Sequence, residues 1–131
     1  MVVDASAAID LYLRGPHYPW LREQIESALY GLSAPSLIEI EFTSALRRLN
    51  ARKHLSDNRA KAALQDFQES EIECFEHGKH LERIWELRHH LTAYDATYVA
   101  LAEALGMPLL TLDHRIAESP GLRCAVVLPT R

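Results

Sequence analysis

Four acidic residues stand where carboxylates could work together. Asp4 directly follows the short apolar run Met1 to Val3, and Asp113 directly follows another, PLLTL. Asp95 closes the sequence Thr92-Ala93-Tyr94-Asp95, and Glu41 lies inside LIEIEFTSAL. Three of them have a ready structural reading. Aspartate is a favoured helix N-cap, which suits Asp4 before ASAAIDLYL and Asp113 before HRIAE. Thr92 and Asp95 match a capping box with aspartate in place of Glu or Gln, and the helix dipole favours a carboxylate there. Glu41 fits such a reading least well. On a helix its neighbours at i−4, i−3 and i+4 are Leu37, Ile38 and Ala45, in a stripe that also includes Leu49. Glu39 falls instead beside Ser36 and Thr43, toward solvent. A buried carboxylate is costly unless it is paired or holds a metal, so Glu41 calls for an arginine or a cation. If the four acids converge, they repel, and the cluster requires raised pKa values or a bound cation. An all-oxygen donor set favours Mg²⁺ or Mn²⁺ over Zn²⁺.

The elements that would position these residues follow from apolar patterning. Met1 to Val3 reads as a strand, Ala5 to Leu13 as a helix, Pro19 to Tyr30 as a second helix and Leu32 to Ala34 as a short strand. Pro35 opens a long helix through SLIEIEFTSALRRLNARK. Ser56-Asp57 starts a helix reaching about Glu69, and Glu71 to Phe75 alternates like a strand. Gly78 to His90 reads as helix, with Leu81, Ile84, Trp85 and Leu87 as its apolar set. Thr92 to Leu105 is a helix closed by Gly106 at C′. Pro108 to Leu112 is a strand, Asp113 to Glu118 a helical turn and Cys124 to Leu128 a last strand. Strands alternating with helices imply an α/β fold with a mainly parallel sheet between helical layers. Ligands of such sheets bind beyond the carboxyl ends of the strands. Asp4 and Asp113 would share that edge.

Composition narrows the classes. The 131 residues suit one domain, residues 1–131, able to bury a core without staples. Apolar residues at 48% and charged residues at 24% argue against disorder. No apolar run approaches the roughly 20 residues of a membrane span, and the N-terminus lacks the basic start of a signal peptide. Two cysteines form no disulfide framework or CxxC site, consistent with a cytoplasmic protein. There is no Gly-rich phosphate loop, so no nucleotide cofactor is expected. The net charge of −4 argues against generic coating of nucleic acid. With the four acids set aside, however, the remaining charges balance at fourteen against fourteen. The acidity therefore does not exclude a phosphodiester substrate.

The stretches MVVDASAAIDLYL, LIEIEFTSALRRL and ELRHHLTAYDATYVALAEALGMPLLTLDHRI resemble PIN domains, most closely VapC toxins of bacterial toxin–antitoxin pairs. The resemblance runs from Met1 to about Val127. It implies a three-layer α/β/α sandwich and a metal-dependent endoribonuclease whose acidic ligands are Asp4, Glu41, Asp95 and Asp113. It further implies Mg²⁺ or Mn²⁺, an RNA substrate, an inhibitory cognate antitoxin and a homodimer. Ser6 matches a small hydroxyl residue that would orient Asp4 or a bound water; its structural alternative is a first-turn helix position. Thr111 and Arg115 flank Asp113 as possible supporting residues. Leu37 to Leu49 is expected to offer the antitoxin a groove. The segment Gly15 to Pro19 is local to this chain and could alter the rim of the site.

Other residues have plainer readings. Arg47, Arg48, Arg52 and Lys53 suit a solvated helix end, and Arg88 lies shortly before Asp95. His77, His80, His89 and His90 lack zinc spacing. Cys74 and Cys124 read as buried thiols, Trp20 and Trp85 as packing residues, and Tyr94 with Tyr98 as part of a helix interface. The competing functional class is a PIN-like binding module with little nuclease activity, acting through an antitoxin–operator DNA complex.

Overall fold

The computed structural model describes residues 1–131. Its centre is a five-stranded sheet in the order β3-β2-β1-β4-β5, with every pairing parallel. The strands are β1 (Val2–Val3), β2 (Ser33–Pro35), β3 (Glu73–Phe75), β4 (Leu109–Leu110) and β5 (Val126–Val127). Between β1 and β2 run α1 (Ala5–Leu13) and α2 (Tyr18–Glu26), and between β2 and β3 run α3 (Leu37–Ala51) and α4 (Asp57–Gln68). A 3₁₀ turn at Gly78–His80 leads into α5 (Leu81–Glu86), then α6 (Ala93–Leu105), before β4; α7 (His114–Glu118) joins β4 to β5. The chain winds outward from β1 to β3, then returns to the other side of β1. With right-handed crossovers, that reversal places helices on both faces. The reversal between β1 and β4 is the topological switch point, where parallel sheets bind ligands.

Packing explains the layers. On one side Phe42 of α3 stacks on Phe67 of α4 at 4.2 Å, and Tyr12 of α1 meets both rings edge-on. Such aromatic pairs contribute about 1 kcal/mol each beyond burial, and here they join three helices. On the other side α6 is alanine-rich, and all seven residues from Ala96 to Ala102 are buried. Small side chains let this helix lie close on the sheet. Arg83 of α5 grips Glu103 of α6 at 2.8 and 3.0 Å and also donates to the Gly121 carbonyl. Gly106 closes α6 at φ 62°, a left-handed conformation that glycine adopts without strain.

Several boundaries differ from the sequence expectation. The second helix spans Tyr18–Glu26 and stops short of Tyr30; Leu29 and Tyr30 are exposed in the connection to β2. Pro35 lies within β2, so the third helix begins at Leu37. The buried stripe of α3 is Ile38, Phe42 and Leu46, each four residues from the next. Leu37, Ala45 and Leu49 are only half-buried on its flank. The expected helix from Gly78 to His90 is a 3₁₀ turn and six α-helical residues followed by turns. Ile84 and Leu87 face the core there, while Leu81 and Trp85 are exposed. Cys74 is exposed and Cys124 half-buried; Cys124 precedes β5, and the lateral positions of both leave the thiols incompletely covered. No helix is long and apolar enough to cross a membrane.

Candidate active site

Asp4 sits at the carboxyl end of β1. Val3 is in register with Leu110, so Thr111 of the neighbouring strand end comes beside it. Asp4 is 5% exposed. Its Oδ1 accepts hydrogen bonds from the Ser6 hydroxyl at 2.7 Å and the Ala7 amide at 3.0 Å, and its Oδ2 accepts one from the Thr111 hydroxyl at 2.5 Å. Those hydroxyls are held in turn. The Leu112 amide donates to Ser6 Oγ and the Asp113 amide to Thr111 Oγ1, both at 3.0 Å. The turns after β1 and β4 are thereby laced together. Burial pushes the Asp4 carboxyl above its ordinary range; the hydroxyl and amide donors oppose that rise, and the charge of Asp95 adds to it.

Asp95 lies in the first turn of α6, half-buried, with its amide donating to Thr92 Oγ1 at 3.1 Å. Burial raises its carboxyl, and repulsion from Asp113 raises it further. Asp113 caps α7. Its Oδ1 accepts from the Arg115 amide at 2.9 Å and from Arg115 Nε at 3.1 Å, and its Oδ2 accepts from Nη2 at 2.8 Å. That grip lowers its carboxyl pKa. Glu41 projects from the flank of α3 and accepts the Tyr98 hydroxyl at 2.6 Å. Tyr98 is 1% exposed. Burial, the bond to Glu41, and the charges of Glu41, Asp4 and Asp95 hold its phenol protonated.

Hydrogen bonds tie Asp4 through Ser6 and Thr111 to the turn that carries Asp113, and tie Glu41 through Tyr98 to α6, which carries Asp95. Asp95 acts on Asp4, Asp113 acts on Asp95, and Tyr98 responds to Asp4, Glu41 and Asp95 together. The caps are real as well: Asp4, Thr92 and Asp113 each accept a first-turn amide. A cap and a site ligand are compatible, because a helix mouth at a strand end presents its capping carboxylate to the cleft. No three His, Cys, Asp or Glu side chains close into a chelating cluster. Glu41 is turned to Tyr98 and Asp113 to Arg115. The donor chemistry nevertheless suits a hard divalent cation: the donors are all oxygen, and burial and mutual repulsion penalise two of the carboxylates.

A model of the PIN domain matches residues 1–122. The chain belongs to the PIN-domain family. Within it, the chain belongs with the VapC ribonucleases. It is 41% identical to ribonuclease VapC1 of Mycobacterium tuberculosis over 129 residues, covering 97% of this chain and 96% of the relative. Solved structures agree on the fold. M. tuberculosis VapC20, a sarcin–ricin-loop-cleaving toxin, superposes with a TM-score of 0.71 at 18% identity, covering 98% of each chain. A toxin–antitoxin complex from Klebsiella pneumoniae gives 0.65 at 21%, covering 98% of this chain and 97% of the other. The five-stranded parallel sheet flanked by helices is thus the PIN fold.

Beside the acidic edge lies a groove of about 540 Å³ between α1 and α3, whose lining includes Ser6, Leu37, Glu41, Ala45, Arg48 and Tyr94. All four residues of the basic run, Arg47, Arg48, Arg52 and Lys53, are exposed, and Arg48 is the one that lines the groove. Arg88 stacks on Trp85 at 4.3 Å. Gly15 to Pro19 follows the far end of α1 and does not line this groove. Sequence reasoning missed Tyr98 as the partner of Glu41. The usable signal was its position three residues after Asp95, on the same face of α6. The expected pairing of Tyr94 with Tyr98 does not describe α6: Tyr98 is buried against Glu41, whereas Tyr94 is exposed and lines the groove.

Proposed function

We propose that this chain is an endoribonuclease toxin that hydrolyses RNA phosphodiesters, and that Asp4, Glu41, Asp95 and Asp113 hold Mg²⁺ or Mn²⁺. The carrying observation is geometric: at the β1–β4 switch point the buried Asp4 is held by Ser6 and Thr111, and Glu41 is held by Tyr98 of α6, the helix that carries Asp95. Such an ion supplies a lowered water pKa and neutralises charge on the phosphoryl oxygens. The protein's own residues supply preorganisation. Ser6 and Thr111 fix both oxygens of Asp4, and Tyr98 aims Glu41. Arg48 and Tyr94 give the groove one cation and one exposed aromatic face for RNA. Attack by water leaves a 5′-phosphate and a 3′-hydroxyl, without participation of the ribose 2′-hydroxyl. Mapping the ends of cleaved RNA tests this: a 2′,3′-cyclic phosphate would rule out the hydrolytic reading.

The same reading includes partners and assembly. We assign the apolar lining of the groove, Leu37, Ala45 and the exposed Ile40, to a cognate antitoxin. A segment seated there lies over Glu41 and Ser6 and so covers the acids. In the cleavage assay, a small protein encoded beside this chain should suppress fragment formation; undiminished cleavage at saturating partner would refute the assignment. The chain acts as a single domain and a homodimer in the cytoplasm, a reading supported by an exposed free thiol at Cys74 and exposed apolar residues on α5.

A further inference from the structure

Arg115 grips a carboxylate that the proposed reaction needs. Its Nε and Nη2 take both oxygens of Asp113 in a fork, and its amide takes Oδ1 a second time. A carboxylate oxygen offers two lone-pair sites. Oδ1 is therefore filled, and Oδ2 keeps one site, directly beside the guanidinium. An ion bound to Asp113 must either share Oδ2 next to a like charge or displace the arginine side chain.

The rest of the geometry shows that displacement is feasible. The Arg115 side chain is 86% exposed, against 21% for Asp113. Every hydrogen bond from its guanidinium goes to Asp113. No second acceptor holds it, and exposed ion pairs are weak. The α7 cap does not depend on the guanidinium, because the Arg115 amide bonds Oδ1 independently and Ile116 anchors the helix at 1% exposure. The positive charge also acts on Asp95 across the site.

Building on the ion-binding reading above, we propose that Arg115 is the site's internal counter-cation: it competes with a divalent ion for Asp113 and sets the ion concentration at which the site fills. Arginine is suited to this role because its planar fork matches both carboxylate oxygens at once, whereas lysine presents a point charge.

The test is calorimetric titration of the full chain with Mn²⁺ alone, comparing the wild type with Arg115→Met and Arg115→Lys. Methionine keeps much of the aliphatic stem and removes the charge. Arg115→Met should bind Mn²⁺ about threefold tighter or better, as expected for loss of an exposed competing ion pair. Arg115→Lys should fall between the two, since it keeps the charge but loses the fork. Equal or weaker Mn²⁺ binding by Arg115→Met, with an unchanged thermal midpoint in EDTA, overturns the proposal. Lysine behaving as arginine overturns the fork as the competing device. A wild type that binds no Mn²⁺ defeats the ion-site reading itself and this inference with it. A wild type that binds, without gain in Arg115→Met, defeats only the role of Arg115.

Discussion

At the scale of single residues, the proposed function rests on carboxylates kept near one another at a cost. Asp4 and Asp95 both titrate above their ordinary values, chiefly through burial. Over the interval between 3.8 and those raised values, the folded chain binds more protons than the unfolded chain. Without divalent ion, stability therefore falls as pH rises through that interval. Asp113 has the opposite sign: its lowered pKa contributes stability that is present above 3.8 and lost as pH falls through the lowered value. Asp95→Asn removes a repelling charge. In EDTA at pH 7 it should raise the melting midpoint by about 3 °C and flatten the fall in stability with rising pH. A lower midpoint would mean that the carboxylate is worth more at the α6 N-terminus than its repulsion costs. Three of the acids were legible in the sequence because strand ends and caps are local signals. Glu41 stood out only through its apolar neighbours, and of the expected stripe Ile38 alone is fully buried, with Leu37, Ala45 and Leu49 on its flank. The core face follows Ile38, Phe42 and Leu46, which puts Glu41 at the edge of the stripe beside Tyr98.

At the scale of elements, the order of strands and helices could be read from periodicity, whereas their ends could not. β1, β4 and β5 are two residues long, so the surrounding apolar residues in PLLTL and CAVVL exaggerate them. The stretch after β3 misled for a different reason. Leu81, Ile84, Trp85 and Leu87 look like one buried set, but Leu81 and Trp85, one turn apart on α5, face solvent. An exposed aromatic and leucine pair on a short helix suits a subunit contact. If the proposed homodimer forms through α5, sedimentation should find about twice the 14.9 kDa chain mass for the wild type and a monomer for Trp85→Glu. Trp85 is 66% exposed, so glutamate there should leave the fold intact. A dimeric Trp85→Glu would move the interface elsewhere.

At the scale of the whole molecule, the alternation of elements indicated a parallel sheet, but its 3-2-1-4-5 order comes from the fold. That order sets β1 beside β4 and brings Asp4 to Thr111 across 107 positions of sequence. Sequence could place the two aspartates on one edge, but pairing two distant strands is a tertiary event with no local signature. We propose that this edge is a metal-dependent ribonuclease site. The most direct measurement is cleavage of a mixed RNA pool by purified, antitoxin-free protein with Mg²⁺, Mn²⁺ or EDTA, beside Asp95→Asn. A metal-dependent site should give discrete fragments that require divalent ion and fall at least about a hundredfold in Asp95→Asn, the scale of losing a group that acts in the transition state. Fragments that persist in EDTA or in the folded Asp95→Asn protein would contradict it.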